Sequence, residues 1–206
     1  MALLKAAYTS IKAADPDAIV VTGAPTPAGD VNLGQGLLAI DDVQYFRKMY
    51  EAGMKGYFDA VGVHASGFNN PPDTYQDSAA GPDFKGHRSF YFRNFENYYR
   101  IMEEHGDGDK KLWLTEFGWA SAQGTPPPAN EYAYARQNSE EEQAKWLVNA
   151  FKIAQERGYV RAMFIWNLNF APGADAGDVI AKRAFSILRS DWGPRPAYKS
   201  LVTMSK

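Results

Sequence analysis

The first residues place apolar side chains at Leu3, Leu4, Ala7, Tyr8, Ile11 and Ala14. That is the spacing of one helix face, so a helix is predicted as far as Asp15-Pro16-Asp17, where proline restricts the residue before it. A short β-branched run at 18–23 reads as a buried strand. After a loop rich in Pro and Gly, Asp41-Asp42 offers a cap for a helix that runs through Tyr50 and stops at Gly53. The alternation then repeats. Strands are predicted at 58–65, 111–116 and 161–168, and helices at 93–105, at 139–158 and from Arg195-Pro196 to Met204. Ser139 and Glu142 have the spacing of a capping box, in which each side chain satisfies an orphan amide of the other.

The order is a helix followed by strand and helix four times. The strands are apolar on both faces, as in an α/β chain whose parallel sheet is covered by helices. The loops after strands are long and the turns after helices are short, as on the two ends of a (β/α)8 barrel, where the loops after strands build the functional face. No G-x-G-x-x-G follows the first strand and no G-x-x-x-x-G-K-[ST] occurs, which removes the support for a dinucleotide or P-loop reading.

Composition narrows this picture. The 206 residues are 45% hydrophobic and 22% charged, so a single globular domain over 1–206 is expected. Lys and Arg number 22 against 24 Asp and Glu, and a nucleic-acid partner would call for a basic excess. Cysteine is absent and the three histidines, His64, His87 and His105, are scattered. Disulfides and a Cys-ligated zinc site are thereby excluded, and neither metal nor cofactor is expected. No apolar run approaches the roughly 20 residues of a membrane-spanning helix. The leading segment lacks the basic start of a signal peptide, and localisation stays open. That first helix has nothing before it to pack against and reads as the interior of a larger fold.

The sharpest chemical feature is LWLTEFGW at 112–119, an apolar strand ending in one carboxylate. A Glu at the mouth of a buried strand faces desolvation and needs a reason to be there. One reason is attack on an anomeric carbon, with a fixed carboxylate on one face of a sugar ring and an acid at the leaving oxygen. The other is structural, a Glu paired with an Arg at a barrel rim.

LWLTEFGW, preceded by FDAVGVHAS and followed by AMFIWNLNF and WGPRPAY, resembles the second half of the retaining (β/α)8 glycoside hydrolases, in particular their β-xylosidase-like and cellulase-like members. The resemblance covers nearly the whole chain. It implies a half TIM barrel, (βα)4, whose four strands correspond to strands five to eight and whose leading helix corresponds to the one after strand four. It implies a carbohydrate substrate, Glu116 as nucleophile, His64 orienting it, and Trp166 as the aromatic platform under the sugar. Trp119 is a further candidate for the cleft. Asn69, Asn70, His87, Arg88, Tyr132, Tyr134 and Arg136 are loop candidates for sugar contacts, most of them expected to be plain solvated positions.

The family's acid/base Glu belongs to an Asn-Glu pair ending strand four, and no such strand end occurs here. Glu131, Asp175 and Asp178 are the loop candidates for a substitute. A half barrel with a nucleophile and no recognised acid is expected to be a weak enzyme alone. The alternatives are a carbohydrate-binding half barrel that does not cleave and a structural assembly unit. An uncovered sheet face and two free edges point to a homodimer that rebuilds eight strands. Two-fold symmetry would then bring the partner's Leu168, with Asn169 next to it, to the place of the missing acid.

Overall fold

The computed structural model describes residues 1–29, 31–32, 37–76, 88–124, 130–170 and 178–205. Helix α1 (Ala2–Ala14) leads the chain, and a small antiparallel pair, β1 (Val31–Asn32) and β2 (Leu37–Ala39), precedes α2 (Asp42–Glu51). The main sheet is β3 (Ala60–Ser66), β4 (Lys111–Gly118) and β5 (Val160–Ile165), parallel and side by side in chain order. Helices α3 (Phe95–Glu104) and α4 (Glu140–Glu156) connect these strands, and α5 (Asp178–Ala184) and α6 (Pro196–Thr203) follow them. The pair β1–β2 and α5 lie within stretches that the sequence pattern assigns to loops.

The strand expected at 18–23 is reduced to one parallel bridge, Val21 with Ala60. Side chains stand in for part of its ladder. The Asp59 carboxylate accepts from the Val20 amide at 2.8 Å, and the Thr22 hydroxyl accepts from the Gly62 amide at 3.0 Å. The backbones run so close that a Cβ on Gly62 would lie 2.4 Å from the Thr22 carbonyl oxygen, so only glycine fits there.

The core lies between the sheet and its helices. Val61, Val63 and Ala65 of β3 and Leu112, Leu114 and Phe117 of β4 are buried against Phe46, Phe92, Tyr98, Ile101 and Leu147. Gly62 and His64 of β3, Trp113 of β4 and Phe164 of β5 occupy the opposite face, as strand alternation dictates. This face is open: Phe164 is 49% exposed and stacks on Trp113, with ring centroids 6.1 Å apart. The capping box forms as expected, Ser139 Oγ accepting from the Glu142 amide at 3.1 Å and Glu142 Oε2 from the Ser139 amide at 2.8 Å.

Candidate active site

Along β4, Leu112 and Leu114 point to the helices and Trp113 to the open face. Strict alternation would send Glu116 to the helix side and Phe117 to the open one. The register instead pairs Val63 with Leu114 but His64 with Glu116, leaving Thr115 as an extra residue. This bulge reverses the alternation, so Phe117 enters the core and Glu116 turns to the open face beside His64. The Glu116 Oε2 to His64 Nδ1 distance is 3.7 Å, with the side chains 41% and 23% exposed. That spacing is an ion pair when His64 is protonated, and it is longer than a hydrogen bond.

Trp166 follows β5 directly, and the Trp166–Asn167 peptide is cis. The Trp166 amide donates to the Phe117 carbonyl at 2.8 Å, tying the end of β5 to the residue after Glu116. A Cβ on Gly118 would lie 2.5 Å from the Trp166 carbonyl oxygen, so the two strand ends meet at a glycine. The half-buried Trp166 ring lies 5.5 Å from that of Phe170. Glu116, His64 and Trp166 thus share the C-terminal end of the parallel strands, where α/β folds carry their sites.

The other expected site residues are placed differently. Trp119 is fully buried, packed on Phe92 and Trp146, and its Nε1 donates to the Asn70 carbonyl at 2.9 Å. It presents no open ring face, because an indole with both apolar neighbours and a carbonyl for its N–H is satisfied in the core. Its bond ties the end of β4 to the loop after β3. Asn69 is also buried. Its Nδ2 donates to Gln137 Oε1 at 2.6 Å, and its Oδ1 has no hydrogen-bond partner. Tyr132 is half-buried against Tyr134. Asn70 donates to the Phe90 carbonyl, and Arg88 to Asp41 Oδ1 at 2.7 Å. Ser89, Asn94 and Tyr98 all donate to Asp42, whose carboxyl burial raises above the ordinary range. Arg136 is exposed and Tyr134 buried. His87 and Asp175, and the side chains of Glu131 and Asp178, lie outside the described residues. The described residues include no group of three or more His, Asp or Glu placed to hold a metal ion, and no helix long and apolar enough to cross a membrane.

Behind the strand ends is a network the sequence pattern did not reveal. Glu140, at the start of α4, accepts from Arg189 at 2.6 and 2.8 Å and from Arg195 Nε at 2.9 Å. Burial opposes the charge of Glu140, but the Arg189 hydrogen bonds and the Arg195 charge outweigh it and hold the carboxyl below its usual range. Burial pushes the Arg195 guanidinium down in turn.

The fold, parallel strands under helices, is similar to that of the (β/α)8 glycoside hydrolases over part of their length. The chain belongs to Glycoside Hydrolase Family 113, whose model matches residues 41–177. A family 39 glycoside hydrolase from the gut symbiont Bacteroides cellulosilyticus WH2 is similar in structure, with a TM-score of 0.64 and 23% identity over 97% of this chain and 36% of that one. A glucosidase from Croceicoccus marinus gives 0.54 and 17% identity over 96% and 34%. Native xylanase 10B from Thermotoga maritima gives 0.51 and 18% identity over 97% and 50%. The chain spans a third to a half of the length of these structures. No curated protein matches it significantly in sequence.

Proposed function

We propose that residues 1–206 form one unit, strands five to eight of a retaining glycoside hydrolase barrel. Glu116 is its nucleophile, His64 orients Glu116, and Trp166 is the floor on which the sugar rests. The observation that carries this reading is the bulge at Thr115, which turns the only carboxylate of β4 out of the helix layer and sets it beside His64 on the open face. A bulge beside a site that re-aims one side chain is a built feature rather than a defect.

Retaining hydrolysis needs a second carboxyl ~5–5.5 Å from the nucleophile. In this proposal that acid comes from strands outside these 206 residues. General-acid assistance is typically worth ~10²–10⁴-fold, so the chain alone is slow on ordinary glycosides. A 2,4-dinitrophenyl glycoside has a leaving group that needs little protonation, and slow turnover of it is expected. Glu116→Gln keeps the shape and loses the nucleophile, so turnover falls to background while the thermal melt stays close to that of the parent. Undiminished turnover by the Gln variant would falsify the assignment. The pH profile is expected to lack an alkaline fall, because no protonated acid is there to be lost. Sugar binding without turnover would favour the carbohydrate-binding alternative, and neither binding nor turnover the assembly unit.

The homodimer expected from the sequence supplies strands but also surplus helices. The proposal therefore takes the acid from a segment of different make-up rather than from a second copy.

A further inference from the structure

We infer that Ser186 is a positioning residue for the Trp166–Phe170 pair, and that Arg195 locks Ser186 to the strand end that carries Glu116. The inference rests on the reading of Trp166 as the sugar floor. The turn 167–170 aims both rings, and one buried hydroxyl bridges it. Ser186 Oγ donates to Asn167 Oδ1 at 3.0 Å and accepts from the Phe170 amide at 2.9 Å, so residues on both sides of the turn hang on a single atom. Asn167 has its other side-chain bond, from Nδ2, to the Lys182 carbonyl at 2.9 Å. With both partners used, Asn167 has one orientation, and Trp166 precedes it directly.

Ser186 is itself held from behind. Segment 184–187 runs between the ends of β4 and β5: the Ser121 amide donates to the Ala184 carbonyl at 2.9 Å, and the Ile187 amide reaches the Asn167 and Leu168 carbonyls at 3.3 and 3.2 Å. The Arg195 guanidinium, 2% exposed, spans this segment. Nη1 donates to the Ser186 carbonyl at 2.7 Å and Nη2 to the Ser121 carbonyl at 3.0 Å, while Nε meets Glu140. One planar fork thus fixes the loop after β4 against the segment that fixes the turn after β5. A lysine, with a single ammonium, lacks the geometry to serve all three directions.

The test uses the full chain labelled with 5-fluorotryptophan, its Trp166 fluorine resonance assigned by Trp166→Phe. Ser186→Ala is expected to shift or broaden the Trp166 resonance and to leave those of Trp119 and Trp146 in the core unchanged. An unmoved Trp166 resonance overturns the inference whether or not the chain turns over substrate. On the dinitrophenyl glycoside the same variant is expected to raise KM about three- to tenfold, the range of one aromatic contact, with kcat nearly unchanged. A merely structural role would lower the active fraction, and so kcat, and leave KM alone. A moved resonance with unchanged KM leaves Ser186 positioning Trp166 and removes Trp166 from the sugar site, which separates failure of the function from failure of the inference. If Ser186→Ala does not fold, Asn167→Ala removes the same hydrogen bond from the other side and is read in the same way.

Discussion

Thr115 is the residue on which the site turns. As the extra member of the bulge it has a hydroxyl that is buried with no hydrogen-bond partner, in a fold where buried polar atoms are normally paired. An unsatisfied buried group costs about 1–3 kcal/mol, so Thr115→Val, with nearly the same shape, is expected to stabilise the chain by about 1 kcal/mol. Urea unfolding measures it, and a lower midpoint would mean the hydroxyl has a partner after all. Glu116 itself was legible from the sequence because it closes an apolar strand. The bulge was not, although its trace is present: large apolar residues fall at 112, 114 and 117, and strict alternation would give 116. Trp119 shows the opposite limit. An indole at a strand mouth reads as a residue lining the cleft, and only the fold reveals that the Asn70 carbonyl takes its N–H and closes it into the core.

Among the elements, α4 carries a buried ion network at its first turn. Its capping box was legible because Ser139 and Glu142 are three residues apart. The partners of Glu140 were not, because Arg189 and Arg195 stand 49 and 55 residues further along and no local pattern joins them. Because Glu140 has a folded pKa below the ordinary 4.5, it binds fewer protons folded than unfolded. Its contribution is therefore fully present above pH 4.5 and is lost as pH falls through the lower folded value. Glu140→Gln leaves the buried Arg195 charge without its counter-ion, a change that typically costs about 3–5 kcal/mol, and it flattens the acid limb of stability against pH. Urea melts between pH 3 and pH 7, roughly bracketing the carboxylate range, measure both effects. A variant as stable as the parent at neutral pH would show the network to be dispensable. The strand at 18–23 was legible as β-branched but not as an edge whose ladder is supplied in part by the Asp59 and Thr22 side chains.

At the scale of the molecule, the helix count decides what completes the sheet. Parallel crossovers are right-handed in nearly all proteins, so the helix before a strand and the helix after one lie over opposite seams. Here α1 precedes the 18–23 segment and is tied to Asp59 by Tyr8 and Lys12, while α6 lies past β5 against α4. Two-fold closure would join β5 of one copy to the 18–23 edge of the other, and over that seam the α6 of one and the α1 of the other claim the same place. Two copies bring eight strands but, at each seam, one helix too many. A segment of four strands and three helices fits without conflict. It would cover Trp113 and Phe164 and fill the apolar grooves at the two edges: about 280 Å³ beside β5, lined by Phe151, Val160 and Met163, and about 510 Å³ beside α1, lined by Leu4, Tyr45 and Met49. The sequence pattern made the open face legible but not the seam, because a helix's place over a sheet depends on the crossover rather than on its own residues. The expected outcome in sedimentation is therefore no discrete dimer with a closed face: the dye anilinonaphthalene sulfonate should bind the chain at every concentration, reporting Phe164 and its neighbours still in water. A species of twice the chain mass that no longer binds the dye would show that α1 or α6 gives way and that two copies do close the barrel.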